Sequence, residues 1–218
     1  MAITEYASAR SAKTTRRRII LAAGVALLLG AMALDTTVVE IGGDSDMRQQ
    51  AFNPNRFGQD HFPRIRDFVQ QKAPEAPQLA QELRDDRAGA IARHGTMAGA
   101  FPVIPVSFSG TMGAGSSGIF AVDVPGMPEG SSIRIQTGPA INGTELRDVT
   151  GDIQFGAFRN QIEYQDAGSG INRAMAAQTL ADIDRETLTG AQVRVTGVFT
   201  MINPANWLVT PVAFEVLE

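Results

Sequence analysis

The residues best suited to chemistry lie between Gly138 and Met175, where arginine, amide and carboxylate side chains crowd together. Side chains of these types can hold a polyol or a carboxylate through several simultaneous hydrogen bonds. The segment therefore supplies our candidate ligand-binding residues, which are Arg147, Asp148, Arg159, Asn160, Gln161 and Glu163.

The same side chains also have a structural interpretation. Arginine, amides and carboxylates satisfy buried polar groups where the chain crosses irregularly over a core. Four apolar or aromatic residues are interleaved with them and can anchor such a crossover: Phe155, Phe158, Ile162 and Tyr164. Because no nucleophile or proton-shuttling pair stands out, the sequence favours the structural role and predicts no catalytic residue.

Motifs of known enzyme classes are absent from the sequence. The two histidines, His61 and His94, lack an acidic or histidine partner at metal-ligand spacing. There is no cysteine, no G-x-S-x-G nucleophile motif and no Gly-Lys pair of a phosphate-binding loop. We therefore expect neither an enzyme nor a bound metal or other cofactor. The alternative is a carbohydrate-active enzyme with Asp148 and Glu163 as its acid–base pair.

The charge distribution separates a short basic tail from an acidic remainder. Residues 1–18 carry five basic side chains and one acidic side chain. The rest of the chain carries 14 basic and 22 acidic side chains. Because an acidic domain is a poor partner for phosphate backbones, we do not expect nucleic-acid binding.

An uncharged apolar segment, Ile19 to Leu34, follows three arginines and ends before Asp35. Its length lies close to the ~17 residues that a short membrane-spanning helix needs. The arginines keep the N-terminus in the cytoplasm, so residues after the segment are expected in the periplasm. We predict a single-pass anchor in the inner membrane. The alternative is a signal peptide cleaved after Ala33, exported by the general or the twin-arginine route.

Two helices and a short extended piece are predicted between the anchor and the first long strand. Thr36–Gly42 has the composition of an extended piece. Apolar residues at three- and four-residue spacing predict an amphipathic helix within residues 60–73 and a second helix over residues 78–93. The predicted segments are a basic tail (1–18), an anchor or signal (19–34), a linker with a helical pair (35–97) and a β domain (98–218).

The last of these segments contains five predicted strands, two of which alternate between apolar and polar residues, and a helix is predicted around Ile171–Ile183. Three strands, a helical insertion and two further strands is the order of an OB-like Greek-key barrel. Gly197 lies where such a sheet must bend. We predict this mainly β, α+β fold, with an open α+β sandwich as the alternative. The predicted strands are Phe101–Met112, Gly118–Val124, Ser132–Gly138, Ala191–Met201 and Trp207–Leu217.

Three stretches of the sequence, GPAINGTELRD, FRNQIEY and LVTPVAFEV, resemble a bacterial family of predicted periplasmic lipoproteins of unknown function. The resemblance implies a periplasmic domain, often encoded beside the components of ribose-type sugar ABC uptake systems. It implies no activity and no catalytic residues. Since the chain has no cysteine, the lipoprotein label does not fit it, and we expect the apolar segment to anchor the chain or to be cleaved. The matching positions are Gly138, Pro139, Gly143, Thr144, Arg147, Asp148, Phe158, Asn160, Gln161 and Glu163.

From these observations we expect a periplasmic, membrane-anchored accessory or binding protein. Its expected partners are the inner membrane, through Ile19 to Leu34, and either sugar ABC transporter components or a small polar solute. The main alternative is a structural or interaction protein of the cell envelope that assembles through its N-terminal helical pair.

Overall fold

The computed structural model describes the backbone of residues 3–35 and 52–217, and the side chains of residues 18–35 and 52–217. The chain divides into two compact units, Met1–Ala51 and Phe52–Glu218. The predicted extended piece Thr36–Gly42 lies outside the described residues.

The first unit contains one long helix, α1, which spans Ile3–Asp35. The window Arg18–Asp35 is long and apolar enough to cross a membrane, and none of it is buried. A signal sequence near an N-terminus has the same properties. The apolar segment predicted from the sequence is thus helical, and it is suited to be either a membrane anchor or a signal sequence.

The second unit begins with α2, Pro54–Lys72, which is longer than the helix predicted within residues 60–73. Asn53 caps it, since its side-chain oxygen accepts a hydrogen bond from the Arg56 backbone N–H at 3.0 Å. Pro54 at the first helical position has no N–H to leave unpaired. The apolar face predicted from the spacing is buried: Phe62, Ile65 and Val69.

Two short helices, α3 (Ala76–Asp85) and α4 (Arg87–His94), replace the single helix predicted over residues 78–93. That prediction was wrong because Asp86 leaves the helical conformation, with φ of −148°. Its side chain accepts a hydrogen bond from the Gly89 backbone N–H at 2.9 Å and so starts a new helix.

Six strands follow, of which the first was not predicted. The strands are β1 (Thr96–Ala98), β2 (Phe101–Ser116), β3 (Ile119–Asp123), β4 (Ser132–Gln136), β5 (Gln192–Thr200) and β6 (Asn206–Leu217). They form one sheet in the order β1-β2-β3-β4-β6-β5, and β2 also pairs with β5. The β4–β6 pairing is parallel and the others are antiparallel. The pairings therefore run from β2 round the sheet and back to β2.

Glycines turn and bend this sheet at the predicted places. The β2–β3 connection passes through Ser117 and Gly118, both with positive φ. Between β5 and β6 the register shifts at Thr196/Gly197. A Cβ at Gly197 would lie 2.6 Å from the Thr210 carbonyl oxygen, so only glycine allows the strands to approach this closely.

Between β4 and β5 the chain forms α5 (Glu145–Asp148), a 3-10 turn (Phe155–Ala157) and α6 (Gln161–Thr179). The helix predicted around Ile171–Ile183 thus begins ten residues later than α6, which ends at Thr179. Helix α6 packs closely on α2 because Gly58 on α2 and Gly170 on α6 lie where the two helices contact each other. A Cβ on Gly58 would lie 2.1 Å from the Gly170 carbonyl oxygen.

Two hydrophobic clusters hold the second unit together. One combines the inner faces of the strands with α3 and α4, and it includes Trp207 stacked on Phe199 at 4.5 Å. The other joins α2, α5 and α6 to outward residues of the sheet such as Val103 and Val198. The helices from α2 onward and the strands therefore share one compact unit.

Candidate functional site

The N-terminus of α6 engages three of the predicted ligand-binding residues in local hydrogen bonds. The Asn160 side-chain oxygen accepts from the Glu163 backbone N–H at 2.9 Å. The Glu163 carboxylate accepts in turn from the Arg159 backbone N–H at 3.0 Å. Reciprocal bonds of this kind are typical of a capped helix start. They give Asn160 and Glu163 a role in building α6.

Arg147 and Asp148 form a tight ion pair. Arg147 Nε donates to Asp148 Oδ1 at 2.7 Å, and Nη2 donates to Oδ2 at 3.1 Å. The Thr144 hydroxyl also donates to Oδ2, at 2.7 Å. The residue Arg147 is only 7% exposed. This carboxylate therefore compensates the positive charge of a nearly buried guanidinium.

Tyr164 on α6 completes the surroundings of this guanidinium. Its ring lies beneath Arg147, with 3.6 Å between Cζ and the ring centroid. Its backbone carbonyl accepts a hydrogen bond from Arg147 Nη1 at 3.0 Å. Burial raises the pKa of the Tyr164 hydroxyl above its ordinary value. The sequence analysis treated Tyr164 as an apolar anchor and missed this polar role.

The loop before α5 is fixed from two sides. Asn172 on α6 donates from Nδ2 to the Gly143 carbonyl at 3.0 Å. On the other side, the Gln136 side chain donates to the Asn142 carbonyl at 3.0 Å and accepts from the Asn142 N–H at 3.1 Å. These bonds set the position of Gly143 and Thr144 relative to α6.

An open pocket of about 340 Å³ lies between this loop and α6. Two of the predicted ligand-binding residues, Arg147 and Gln161, line it. Four others do not: Asp148, Arg159, Asn160 and Glu163. The full lining is Gly143, Thr144, Arg147, Gln161, Gln165 and Ser169.

Gln165 and Ser169 are pocket residues that the sequence analysis missed. With Gln161 they recur every four residues along α6, so they lie along one face of the helix. All three side chains are exposed. This spacing is present in the sequence, but it identifies one face of a helix only once the helix is known to begin at Gln161.

The pocket is polar and nearly neutral. Arg147 is its only ionisable lining residue, and Asp148, which does not line the pocket, compensates that charge. The amides of Gln161 and Gln165 can donate and accept hydrogen bonds, and the Ser169 hydroxyl, which donates to the Gln165 carbonyl at 3.3 Å, can accept one. Such a lining suits a ligand that also donates and accepts, such as a polyol.

A half-buried carboxylate lies near the same loop. The Thr200 hydroxyl donates to Glu145 Oε1 at 3.3 Å, and burial raises the pKa of the Glu145 carboxyl above its ordinary value. Glu145 does not line the pocket.

The histidines have partners other than a metal. His61 Nδ1 lies 2.9 Å from the Phe57 carbonyl oxygen, and His94 Nε2 lies 2.9 Å from Glu82 Oε2. Within residues 18–35 and 52–217, no three His, Asp or Glu side chains are grouped so that they could hold a metal ion.

Comparison with known proteins agrees with this architecture. The chain is similar to the crystal structure of an OB-fold protein from Thermotoga maritima, with a TM-score of 0.61 and 14% sequence identity. The alignment covers 77% of this chain and 99% of that one, and it shows similarity of fold alone. No curated protein matches the sequence.

A family described as predicted periplasmic lipoprotein, DUF2291, matches residues 22–215. The match extends from the apolar helix through the pocket to the last strand. The chain therefore belongs to the DUF2291 family of predicted periplasmic lipoproteins.

Proposed function

We propose that this protein is a membrane-anchored accessory protein of the periplasm that binds a small, neutral, hydroxyl-rich solute. The solute lies in the pocket between Gly143 and α6, on a domain whose strands close into an OB-like Greek-key barrel. The observation that carries the proposal is the neutral, donor-and-acceptor lining around Arg147.

The ion pair with Asp148 favours one of the two ligand classes that the sequence left open. A carboxylate ligand would compete with Asp148 for the same guanidinium, since Nε and Nη2 already donate to it. Arg147 has five N–H donors. Three of them, one on each nitrogen, already donate hydrogen bonds within the protein. The donors that remain can bind hydroxyl oxygens of a ligand without changing the net charge of the pocket. A sugar or sugar alcohol therefore fits better than a sugar acid.

The pocket has the dimensions for such a solute. Its volume of about 340 Å³ lies near the lower end of the range for small-molecule sites, about 300–1,000 Å³. A guanidinium on one wall and a row of amides and a hydroxyl on the other can bond several hydroxyl groups at once. No large aromatic side chain lines the pocket, so affinity would come mainly from hydrogen bonds.

The apolar helix determines the proposed localisation of the protein. Ile19 to Leu34 would cross the inner membrane once, with the arginines on the cytoplasmic side and the domain in the periplasm. Because the sequence contains no cysteine, this helix takes the place of a lipid anchor. Cleavage after Ala33, which would release the domain, is the alternative.

The proposed partners are the components of a sugar ABC uptake system. The family resemblance implies this association, and the solute class inferred from the pocket is compatible with it. A tethered domain that binds sugar would hold solute close to the permease at the membrane surface.

The second candidate function is an interaction protein of the envelope. Within residues 52–217, the large hydrophobic side chains on α2, α3 and α4 are not exposed, which argues against assembly through these helices. Phe155 in the 3-10 turn and Ile162 at the start of α6 are 50% and 72% exposed, and a partner could bind there. The polar pocket makes solute binding the stronger candidate.

Thermal unfolding of the full-length chain in detergent tests the proposal. Trp207 is the only tryptophan and is fully buried, so its fluorescence reports on the core. Pentoses, hexoses and sugar alcohols are screened. A solute at 100 times its Kd should add about 2.7 kcal/mol to the free energy of unfolding.

Variants in the pocket distinguish specific binding from a general effect of sugars. Gln165→Ala should weaken binding about three- to tenfold, since it removes about one hydrogen bond, and Ser169→Trp should block the pocket. Gln178→Ala, on an exposed part of the same helix outside the pocket, is the matched control. If no sugar or sugar alcohol raises the melting temperature, or if Ser169→Trp leaves the rise intact, the proposal fails.

A further inference from the structure

A second groove, of about 420 Å³, lies away from the Arg147 pocket. Three parts of the chain form it: the β2–β3 connection, the segment after β4, and the loop before β5. Their side chains are small or apolar apart from two serines and one arginine. The lining is Gly115, Ser116, Ser117, Gly118, Phe120, Gly138, Pro139, Ala140 and Arg185.

Arg185 is the only ionisable residue in this lining. Its Nε donates to the Thr137 carbonyl at 2.7 Å, which fixes the half-buried guanidinium at the groove. Among residues 18–35 and 52–217, no carboxylate forms a salt bridge with it. Arg147, by contrast, is paired with Asp148. Within the part of the chain that the structure describes, Arg185 thus has no carboxylate partner and free Nη donors.

The acids adjacent to Arg185 in sequence form no salt bridge with it. Asp184 and Glu186 flank Arg185 in sequence, but both are exposed and neither lines the groove. The Asp184 carboxylate accepts from the Glu186 backbone N–H at 3.0 Å. The lining of the groove therefore has a single positive charge.

Glycines keep space open beside the guanidinium. Gly138 has φ of +86°, and a Cβ there would lie 3.2 Å from Arg185 Nη2. On the neighbouring segment, a Cβ on Gly118 would lie 1.5 Å from the Gly138 carbonyl oxygen. Side chains at these positions would disrupt the close approach of the two segments or crowd the arginine.

We propose that this groove binds a ligand with a carboxylate group, which pairs with the Nη atoms of Arg185. A carboxylate matches a single guanidinium in charge and in its two-oxygen geometry. Phe120, Pro139 and Ala140 supply apolar surface for a short carbon chain. The exposed hydroxyls of Ser116 and Ser117 can donate to the carboxylate. The ligand is a small organic acid or the free C-terminus of a peptide, since both offer this group.

The test uses the full-length chain in detergent micelles at constant ionic strength. Propionate is titrated while the Trp207 melting temperature and the NMR signals of the arginine Nε–H groups are followed. Propionamide, which has the same shape without the charge, is the matched ligand control. Trialanine with a free C-terminus and trialanine amide form the second pair, which distinguishes a peptide terminus from a small acid.

Propionate or free trialanine should move the Arg185 Nε–H signal and raise the melting temperature, whereas the two amides should do neither. The tighter binder of the two acids identifies the source of the carboxylate. Arg185→Gln, which keeps a donor for the Thr137 carbonyl, should weaken binding about tenfold or more. Ala140→Trp, which fills the groove without changing the arginine, should also abolish binding.

Arg194→Gln is the control variant, because Arg194 is exposed and pairs with Glu215 on β5 and β6. It should leave carboxylate binding unchanged. If neither acid binds at millimolar concentration, or if both groove variants bind as the unaltered chain does, the proposal is overturned. Because it concerns a different groove, its outcome is independent of the polyol site at Arg147.

Discussion

The guanidinium of Arg147 lies over the ring of Tyr164, with 3.6 Å between Cζ and the ring centroid. The backbone carbonyl of the same tyrosine accepts a hydrogen bond from Arg147 Nη1 at 3.0 Å. Tyr164 thus holds the guanidinium from α6 while Asp148 holds it from α5. This arrangement joins two helices beside the pocket that Arg147 lines.

The ring of Tyr164, more than its hydroxyl, should stabilise this arrangement. Its hydroxyl lies 3.5 Å from both Asp148 Oδ1 and the Ile153 carbonyl oxygen, so these bonds are weak. Tyr164→Phe should therefore change the free energy of unfolding by less than about 1 kcal/mol. Tyr164→Leu loses the cation–π contact and should cost about 1–2 kcal/mol more. Denaturant unfolding followed by Trp207 fluorescence measures both values, and equal losses would contradict this account.

Gly170 should tolerate no side chain. A Cβ there would lie 1.9 Å from the backbone carbonyl oxygen of Pro54 on α2. Alanine normally favours a helix over glycine, but here it should destabilise the protein by about 1–3 kcal/mol because the helices must separate. Gly156→Ala, with nothing within 4 Å of its Cβ, is the control and should change stability by less than about 0.5 kcal/mol. Stabilisation by Gly170→Ala would show that the helices are not so close.

Glu145 should make stability depend on pH. Burial raises the pKa of its carboxyl above the ordinary value of 4.5. Between the unfolded and the folded pKa the folded state binds more protons, so this carboxyl lowers stability as pH rises through that window. Glu145→Gln keeps an acceptor for the Thr200 hydroxyl and removes the charge.

The variant Glu145→Gln should therefore gain stability relative to the unaltered chain as pH rises from about 4 to neutral. Urea unfolding at a series of pH values measures the difference. Glu186→Gln, at an exposed position, is the control for removing a carboxylate. A difference that is constant with pH, or that changes in the opposite direction, would contradict the raised pKa.

Asn160 should affect stability and not solute affinity. Its side chain caps α6 and does not line the pocket. Asn160→Ala should destabilise the protein by about 1 kcal/mol, whereas Asn160→Asp keeps the capping oxygen and most of the stability. Reduced sugar affinity with unchanged stability would show instead that Asn160 binds ligand, as the sequence suggested.

The predicted strands are close to those of the structure because apolar residues run through each of them and alternate with polar residues in stretches such as Ser132–Gln136. On β2, Ile104, Val106 and Phe108 all reach the inner cluster. Gly197 was also predicted from sequence, since a glycine inside a strand marks a bend. By contrast, the break at Asp86 was missed because apolar spacing continues on both sides of it, and only the capping hydrogen bond reveals the new helix.

The candidate site was predicted in part. The segment and Arg147 were identified because arginines and amides are concentrated there. The sequence could not show that Asp148 compensates Arg147, nor that Asn160 and Glu163 cap a helix, because these roles depend on where α6 begins. Once that start is known, Gln161, Gln165 and Ser169 align on one face and mark the pocket.

The most direct test of the central claim is a calorimetric titration of the full-length chain with two matched ligands. One is a five-carbon sugar alcohol, and the other is the sugar acid with the same carbon skeleton and a terminal carboxylate. Because Asp148 already neutralises Arg147, we expect the alcohol to bind and Ser169→Trp to abolish its binding. Tighter binding of the acid in that pocket, or no binding of the alcohol, would contradict a neutral polyol site.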